Sequence, residues 1–307
     1  MSFGLYLHFP FCRSKCRYCD FFSLTDAVPH EAYARAIERE CRLREPSWRG
    51  RLAQSLYLGG GTPTLWDVSA LRRAMDELRA RLPFAPAAEW TIEANPGTVD
   101  APLLAACRSA GFNRLSIGVQ SFDDAILSSL GRVHSAQQAI EATAAAREAG
   151  FESLSLDLIH GLPGQTLEGA LADLDMALSL GPDHLSLYEL MVDHLESETP
   201  LSRDVASGAV RLPDEDEVFE MGRALACRAA QAEHDELFEQ SLSIEALARR
   251  FGQFAALESR EVTPHVARVL PAAAATRRVA GIVEGKADRA AAESQVFAAR
   301  PVELVVP

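Results

Sequence analysis

Gly4-Leu-Tyr-Leu-His-Phe-Pro-Phe-Cys12-Arg-Ser-Lys-Cys16-Arg-Tyr-Cys19 is a short β-rich run that ends in a loop of three cysteines at C-x3-C-x2-C spacing. Three buried packing residues would not be interleaved with Arg13, Lys15 and Arg17, because charged side chains are rarely buried. The spacing therefore reads as a ligand set. A structural zinc site wants four ligands, commonly from two short knuckles, and here the fourth would have to come from His8 or Asp20. An iron–sulfur cube held by three thiolates instead leaves one iron open to chelate a small molecule. The neighbouring cations would offset the anionic thiolates in either case.

Outward from this loop, apolar β-rich runs alternate with helical patterns up to about residue 190. The predicted strands are Gly4–Phe9, Ser55–Leu58, Glu89–Glu93, Arg114–Val119, Ser153–Ile159 and His184–Glu189. Helices are predicted over Glu31–Arg44, Val68–Leu82, Ala101–Ala110, Ala136–Ala149 and Leu167–Leu180. Gly111, Gly150 and Gly181 stand where C′ glycines end helices, and Ser135 where an N-cap begins one. Six strands separated by helices imply right-handed βαβ units and a parallel sheet, either an open Rossmann-type sheet or a partial (β/α) barrel. Both gather chemistry at the C-terminal strand ends. The unusual residues cluster there: the cysteines, Gly59–Gly61, Glu93 with Asn95, Gln120 and His160.

The chain of 307 residues carries 43 acidic residues against 30 Lys plus Arg, a formal charge of −13. That balance argues against a nucleic-acid or anionic-membrane binder, whose affinity comes from a basic face. No apolar run reaches the ~18 residues of a membrane span. Met1–Phe11 has neither a basic n-region nor a long apolar core, so no signal peptide is read there and a reduced, cytoplasmic setting is expected. Cys41, Cys107 and Cys227 lie in helical patterns and read as packing residues. Beyond Pro213 the character changes: Asp214–Ala230 has capping-box spacing at Asp214 and Glu217, and Ser243–Phe251 is a second helical stretch. Residues 228–307 hold 19 alanines among 80 positions and no Trp or Tyr. The expected division is a barrel over 1–212 and a small, mostly helical C-terminal region over 213–307, diverged or incomplete.

Tyr6-Leu-His8-Phe-Pro-Phe-Cys12-x3-Cys16-x2-Cys19 resembles the radical S-adenosylmethionine (SAM) proteins, and within them the oxygen-independent coproporphyrinogen III oxidase group. The resemblance continues through Gly59-Gly-Gly-Thr-Pro63, Glu93-Ala-Asn-Pro-Gly97, Leu115-Ser-Ile-Gly-Val-Gln-Ser121 and Gly131-Arg-Val-His-Ser135. It then takes in Asp157-Leu-Ile-His-Gly-Leu-Pro-Gly-Gln165 and Ser186-Leu-Tyr-Glu189, covering about two thirds of the chain in collinear order. The resemblance implies a TIM-like partial (β/α)6 barrel in which Cys12, Cys16 and Cys19 ligate a [4Fe–4S] cluster whose open iron binds SAM. It also implies that Tyr6, Gly60, Gly61, Thr62, Glu93, Gln120, Arg132 and Asp157 surround SAM. These residue types suit such a pocket. Carboxylates accept from ribose hydroxyls or an ammonium, Arg pairs with a carboxylate, and glycines let backbone approach.

Two branches compete. The oxidases, which oxidatively decarboxylate coproporphyrinogen III, are similar in a longer motif with a further Cys where this chain has Phe21. The Cys19-Asp-Phe form, with Asn95-Pro-Gly97 and Gly161-Leu-Pro-Gly-Gln165, is similar to the branch of haem chaperones, which deliver haem to client proteins. Members of that branch carry a His-Asn-x-x-Tyr-Trp segment associated with haem, and no His-Asn pair occurs in this sequence. Haem, or a porphyrinogen in the other branch, is thus implied by the family alone. A zinc-bound, non-enzymatic module is the third reading.

Overall fold

The computed structural model describes residues 2–192 and 198–238 with the pairs 268–269 and 304–305, and side chains between residues 3 and 232. Six strands, β1 (Ser2–Phe9), β2 (Leu52–Gly60), β3 (Phe84–Ala94), β4 (Arg114–Gln120), β5 (Ser153–His160) and β6 (His184–Glu189), form one parallel sheet. Spatial order equals chain order, with two-residue antiparallel pairings at the borders: Arg268–Val269 on β6 and Leu304–Val305 on β1. A doubly wound sheet reverses its strand order in the middle; this one never does. Right-handed crossovers that always step the same way put the helices on one face and curl the sheet, which selects the partial (β/α)6 barrel.

Side chains alternate across each strand. Leu5, Leu7, Leu58, Ile92, Ile117 and Leu156 are fully buried against the helix layer. The intervening positions are polar and face inward, including Tyr57, Glu93, Arg114, Ser116, Asp157 and Ser186. The helix layer consists of α1 (His30–Trp48), α2 (Val68–Arg81), α3 (Ala101–Ser109), α4 (Asp124–Ser129), α5 (Ala136–Glu148), α6 (Leu167–Ser179), α7 (Pro200–Ala206) and α8 (Glu215–Phe238).

The predicted caps form: Ser135 and Gln138 make a capping box, and Asp214 and Glu217 exchange reciprocal bonds at 2.9 and 2.8 Å. Gly111, Gly150 and Gly181 follow their helices with positive φ. The first helix outruns its predicted end at Arg44 and passes Pro46, because Trp48 in its last turn is buried and Glu45 pairs with Arg81 at 2.5 Å. Two helices lie outside the predicted set. Asp123 caps α4 by accepting from the N–H groups of Ala125 and Ile126, and Thr199-Pro200 starts α7 with a cap and a proline at its first position. On α8, Met221, Leu225 and Ala229 at four-residue spacing join the main core; Cys227 falls between them and is exposed, unlike buried Cys41 and Cys107. The expected helix at 243–251 lies outside the described residues.

Candidate metal and cofactor site

The cysteine loop leaves the C-terminal end of β1 and is tied to the barrel on several sides. The Cys12 N–H donates to Leu24 O at 2.8 Å and Leu24 N–H to Pro10 O at 2.6 Å, which closes the loop on itself. Arg17 N–H donates to Leu130 O at 2.9 Å behind α4, and Leu201 N–H of α7 donates to Arg17 O at 2.9 Å. The Arg17 guanidinium binds Ser129 O and Asp204, while Arg13 reaches Gly97 O at 3.3 Å. These two cations serve protein groups in place of the thiols. The guanidinium that reaches the triad is Arg132, with Nη1 3.4 Å from Cys16 Sγ and Nη2 donating to Gly118 O at 2.6 Å. Its Nε is buried and has no hydrogen-bond partner among the described residues. Thr62 points its hydroxyl at Cys12 Sγ, 3.8 Å away.

Burial pushes the Cys12 thiol up and takes Cys19 to about 11, against the opposing Phe21 N–H. A cation at these thiols must displace protons to bind. His8 does not stand ready as a zinc ligand. Its Nδ1 meets Tyr6 Oη and its Nε2 meets Phe22 O, each at 3.0 Å. Among the described residues, no three His, Cys, Asp or Glu side chains converge on a single-ion site.

Beside the thiols, the turn after β2 presses against the cysteine loop. A Cβ on Gly61 would lie 2.6 Å from Phe11 O, and one on Gly60, at φ 112°, would lie 2.5 Å from the His8 ring. Only glycine permits that approach. Gly60 N–H donates to Glu93 Oε2 at 3.0 Å and Tyr57 Oη donates to Oε1 at 2.7 Å. Burial raises Glu93 to about 7, with a further push from Asp157. Asp157 accepts from Ser116 Oγ at 3.0 Å and rises to about 6, again through burial. Tyr6 sits lower on β1, opposite Tyr57 in register and stacked on it at 6.1 Å.

Gln120 ends β4 at φ 70°, the one non-glycine in the left-handed region among the described residues. Its flanks are fixed. On one side His134 donates from Nε2 to Val119 O at 3.1 Å, and burial and the Arg132 charge lower this histidine to about 4. On the other side the Phe122 N–H donates to Asp173 of α6, a residue that sequence reasoning misses. Its one signal is an acidic residue on the buried stripe of a predicted helix. Arg114 is also missed, as a strand residue. It lies inside the barrel, with Nη2 3.5 Å from His184 Nδ1, and its charge favours the ionised forms of both Glu93 and Asp157. The sequence-predicted residues thus fall into two groups. Thr62 and Arg132 adjoin the thiols, while Gly60 with Glu93 and Gln120 line the adjoining strand ends, with Asp157 and Tyr6 further down their strands.

The radical SAM superfamily matches residues 6–177 of this chain. The chain is 41% identical over 240 residues to the heme chaperone HemW of Escherichia coli (strain K12), covering 76% of this chain and 61% of that protein. It is 38% identical over 241 residues to the heme chaperone HemW of Haemophilus influenzae, with the same two coverages of 76% and 61%. The chain therefore spans about three fifths of the length of these curated relatives. Among solved structures it is similar to coproporphyrinogen III oxidase (HemN) from Escherichia coli, described as a radical SAM enzyme. The TM-score is 0.67 and the identity 32%, over 75% of this chain and 52% of that one. Sequential parallel barrel, three-cysteine loop and polar strand ends agree with these matches: the chain belongs to the radical SAM superfamily.

Proposed function

We propose that this chain binds a [4Fe–4S] cluster on Cys12, Cys16 and Cys19 and SAM beside it, and that it serves as a haem chaperone for client proteins. The observation that carries the cofactor reading is the Arg132 guanidinium, held by Gly118 O, touching the Cys16 thiol and keeping a buried Nε with no partner among the described residues. The donor set fits a cluster with an amino acid on its open iron. Three thiols supply three corners, and Gly60 and Gly61 let the backbone of the turn after β2 come up against the cysteine loop. Bound there, the cluster would supply one-electron chemistry.

This chain's own groups bind and orient. Glu93 and Asp157 accept from ammonium or ribose hydroxyl donors, Gln120 offers an amide, and Arg132 pairs with a carboxylate or offsets thiolate charge. Raised pKa values at Glu93 and Asp157 belong to carboxylates stripped of water by burial, a cost that a bound cation would offset. Support for the chaperone role comes from the two named relatives and from Phe21, which stands where the oxidase motif has a further cysteine. A barrel over 1–212, a C-terminal region over 213–307 and a reducing, cytoplasmic setting belong to the same proposal. No described helix is long and apolar enough to cross a membrane.

Anaerobic reconstitution with iron and sulfide analysis tests the cluster: about four irons per chain are expected, and fewer than about three would refute it. Haem titration tests the branch. Stoichiometric haem uptake without turnover is expected; decarboxylation of coproporphyrinogen III would establish the oxidase instead, the alternative favoured by the likeness to the Escherichia coli enzyme.

A further inference from the structure

Two residues of the sequence motifs have no part in the site so far: Ser121 after Gln120, and Gln165 at the end of Gly161-Leu-Pro-Gly-Gln165. The fold brings both to one buried carboxylate. Asp173 on α6 is 6% exposed. It accepts from Phe122 N–H at 2.6 Å, from Ser121 Oγ at 2.8 Å and from Gln165 Nε2 at 3.4 Å. Ser121 Oγ accepts in turn from Asp123 N–H at 3.0 Å, the residue that caps α4. Gln165 Oε1 accepts from Leu162 N–H at 3.3 Å, so the same side chain shapes the loop that follows the strand of Asp157.

We propose that Asp173 is a positioning residue that holds Gln120 in its left-handed conformation and locks the ends of β4 and β5 together, acting through Ser121 and Gln165. The conformation needs such a hold. A non-glycine residue at φ 70° is disfavoured on its own and persists when its surroundings over-determine it. Here the carbonyl of Val119, just before Gln120, is fixed by His134, and the amide of Phe122, two residues after it, by Asp173. Charge-assisted bonds to a buried carboxylate are the strong kind, and a partly satisfied network of this sort would not hold one geometry. Asp173 touches no proposed cofactor position itself. The inference rests on the reading that Gln120 faces SAM.

The test uses the full chain with its cluster reconstituted and SAM as the titrant in calorimetry, with amide hydrogen exchange across residues 120–123. Asp173→Ala is expected to weaken SAM binding roughly tenfold, the scale of one charge-assisted hydrogen bond, with iron content unchanged. Exchange at the Phe122 amide should quicken. Asp173→Asn, which keeps one acceptor for Phe122 N–H, should recover part of the affinity. In a Gln120→Ala background, Asp173→Ala should add no further loss. Should Asp173→Ala fail to fold, Ser121→Ala gives the same test with a smaller expected effect. Wild-type affinity in Asp173→Ala, or losses that add to those of Gln120→Ala, would overturn the proposal alone. Wild-type SAM affinity in Gln120→Ala would overturn the underlying reading, and the proposal with it.

Discussion

The two faces of the same six strands are built from opposite materials, and β5 shows it within two residues. Leu156 points outward into the helix layer with no exposed surface, while Asp157 points inward to three serine hydroxyls and has its pKa raised by burial. The outward face gains stability from apolar area removed from water. The inward face loses some by holding carboxylates where water is scarce. A barrel packed for stability would fill its interior with Val, Ile and Leu layers; this one keeps Tyr57, Glu93, Arg114 and Asp157 there. Stability and site construction are therefore separable by the direction a side chain points.

That separation can be broken experimentally. The largest effect belongs to Cys16→Ser, which should abolish the bound iron and sulfide while leaving the apo chain's unfolding midpoint close to wild type, since Cys16 is half-buried and outside the core. A large loss of apo stability would show that the loop is part of the fold's support. Next comes Leu156→Ala, with an expected loss of about 2–5 kcal/mol in denaturant unfolding. The fraction of this variant that remains folded should still take up a full cluster.

Asp157→Asn should move the other way. The folded pKa is about 6, raised from 3.8, so the folded state holds a proton that the unfolded state has released between those values. Wild-type stability from this group is therefore fully present below the unfolded value and lost as pH rises through about 6. The variant escapes that loss, and its serine partners can turn their hydroxyls to accept from the new amide. A gain on the order of 1 kcal/mol is expected at pH 8, after allowance for the carboxylate's water-facing edge. It should vanish near pH 4 and come with weaker SAM binding. A pH-independent difference would refute the assignment.

The smallest effect is at the rim. Arg17 and Asp204 stay partly open to solvent, so Asp204→Ala should change stability by no more than about 1 kcal/mol and leave cluster content intact. Loss of iron in that variant would make α7 a part of the metal site.

Much of this is legible from residue order. The three cysteines announce ligands because their spacing is short and their neighbours are charged, and the strand–helix alternation announces a parallel sheet. The glycines closing β2 and the acid at Glu93 stand at strand ends whose location follows from that alternation, whereas Asp157 lies inside β5 and is singled out by the resemblance. The short helices α4 and α7 escape because six or seven residues carry too little periodicity, although Asp123 and Thr199-Pro200 mark their starts. Asp173 escapes because an acidic residue on a helix reads as solvent-facing until its partners are known. Arg17 reads as a charge for the cluster, yet it binds Asp204, 187 residues away in sequence.

The sequence alone determined the three-cysteine loop as the candidate ligand set, the class of fold and the residues crowded toward one end of the strands, because spacing and alternation are local properties. Only the tertiary structure decided that the strands follow in unbroken order and that Arg132 is the cation on the Cys16 thiol. It alone showed the turn at Gln120 standing between His134 and Asp173. Those facts depend on contacts between residues far apart in the chain, and burial then sets what each contact is worth.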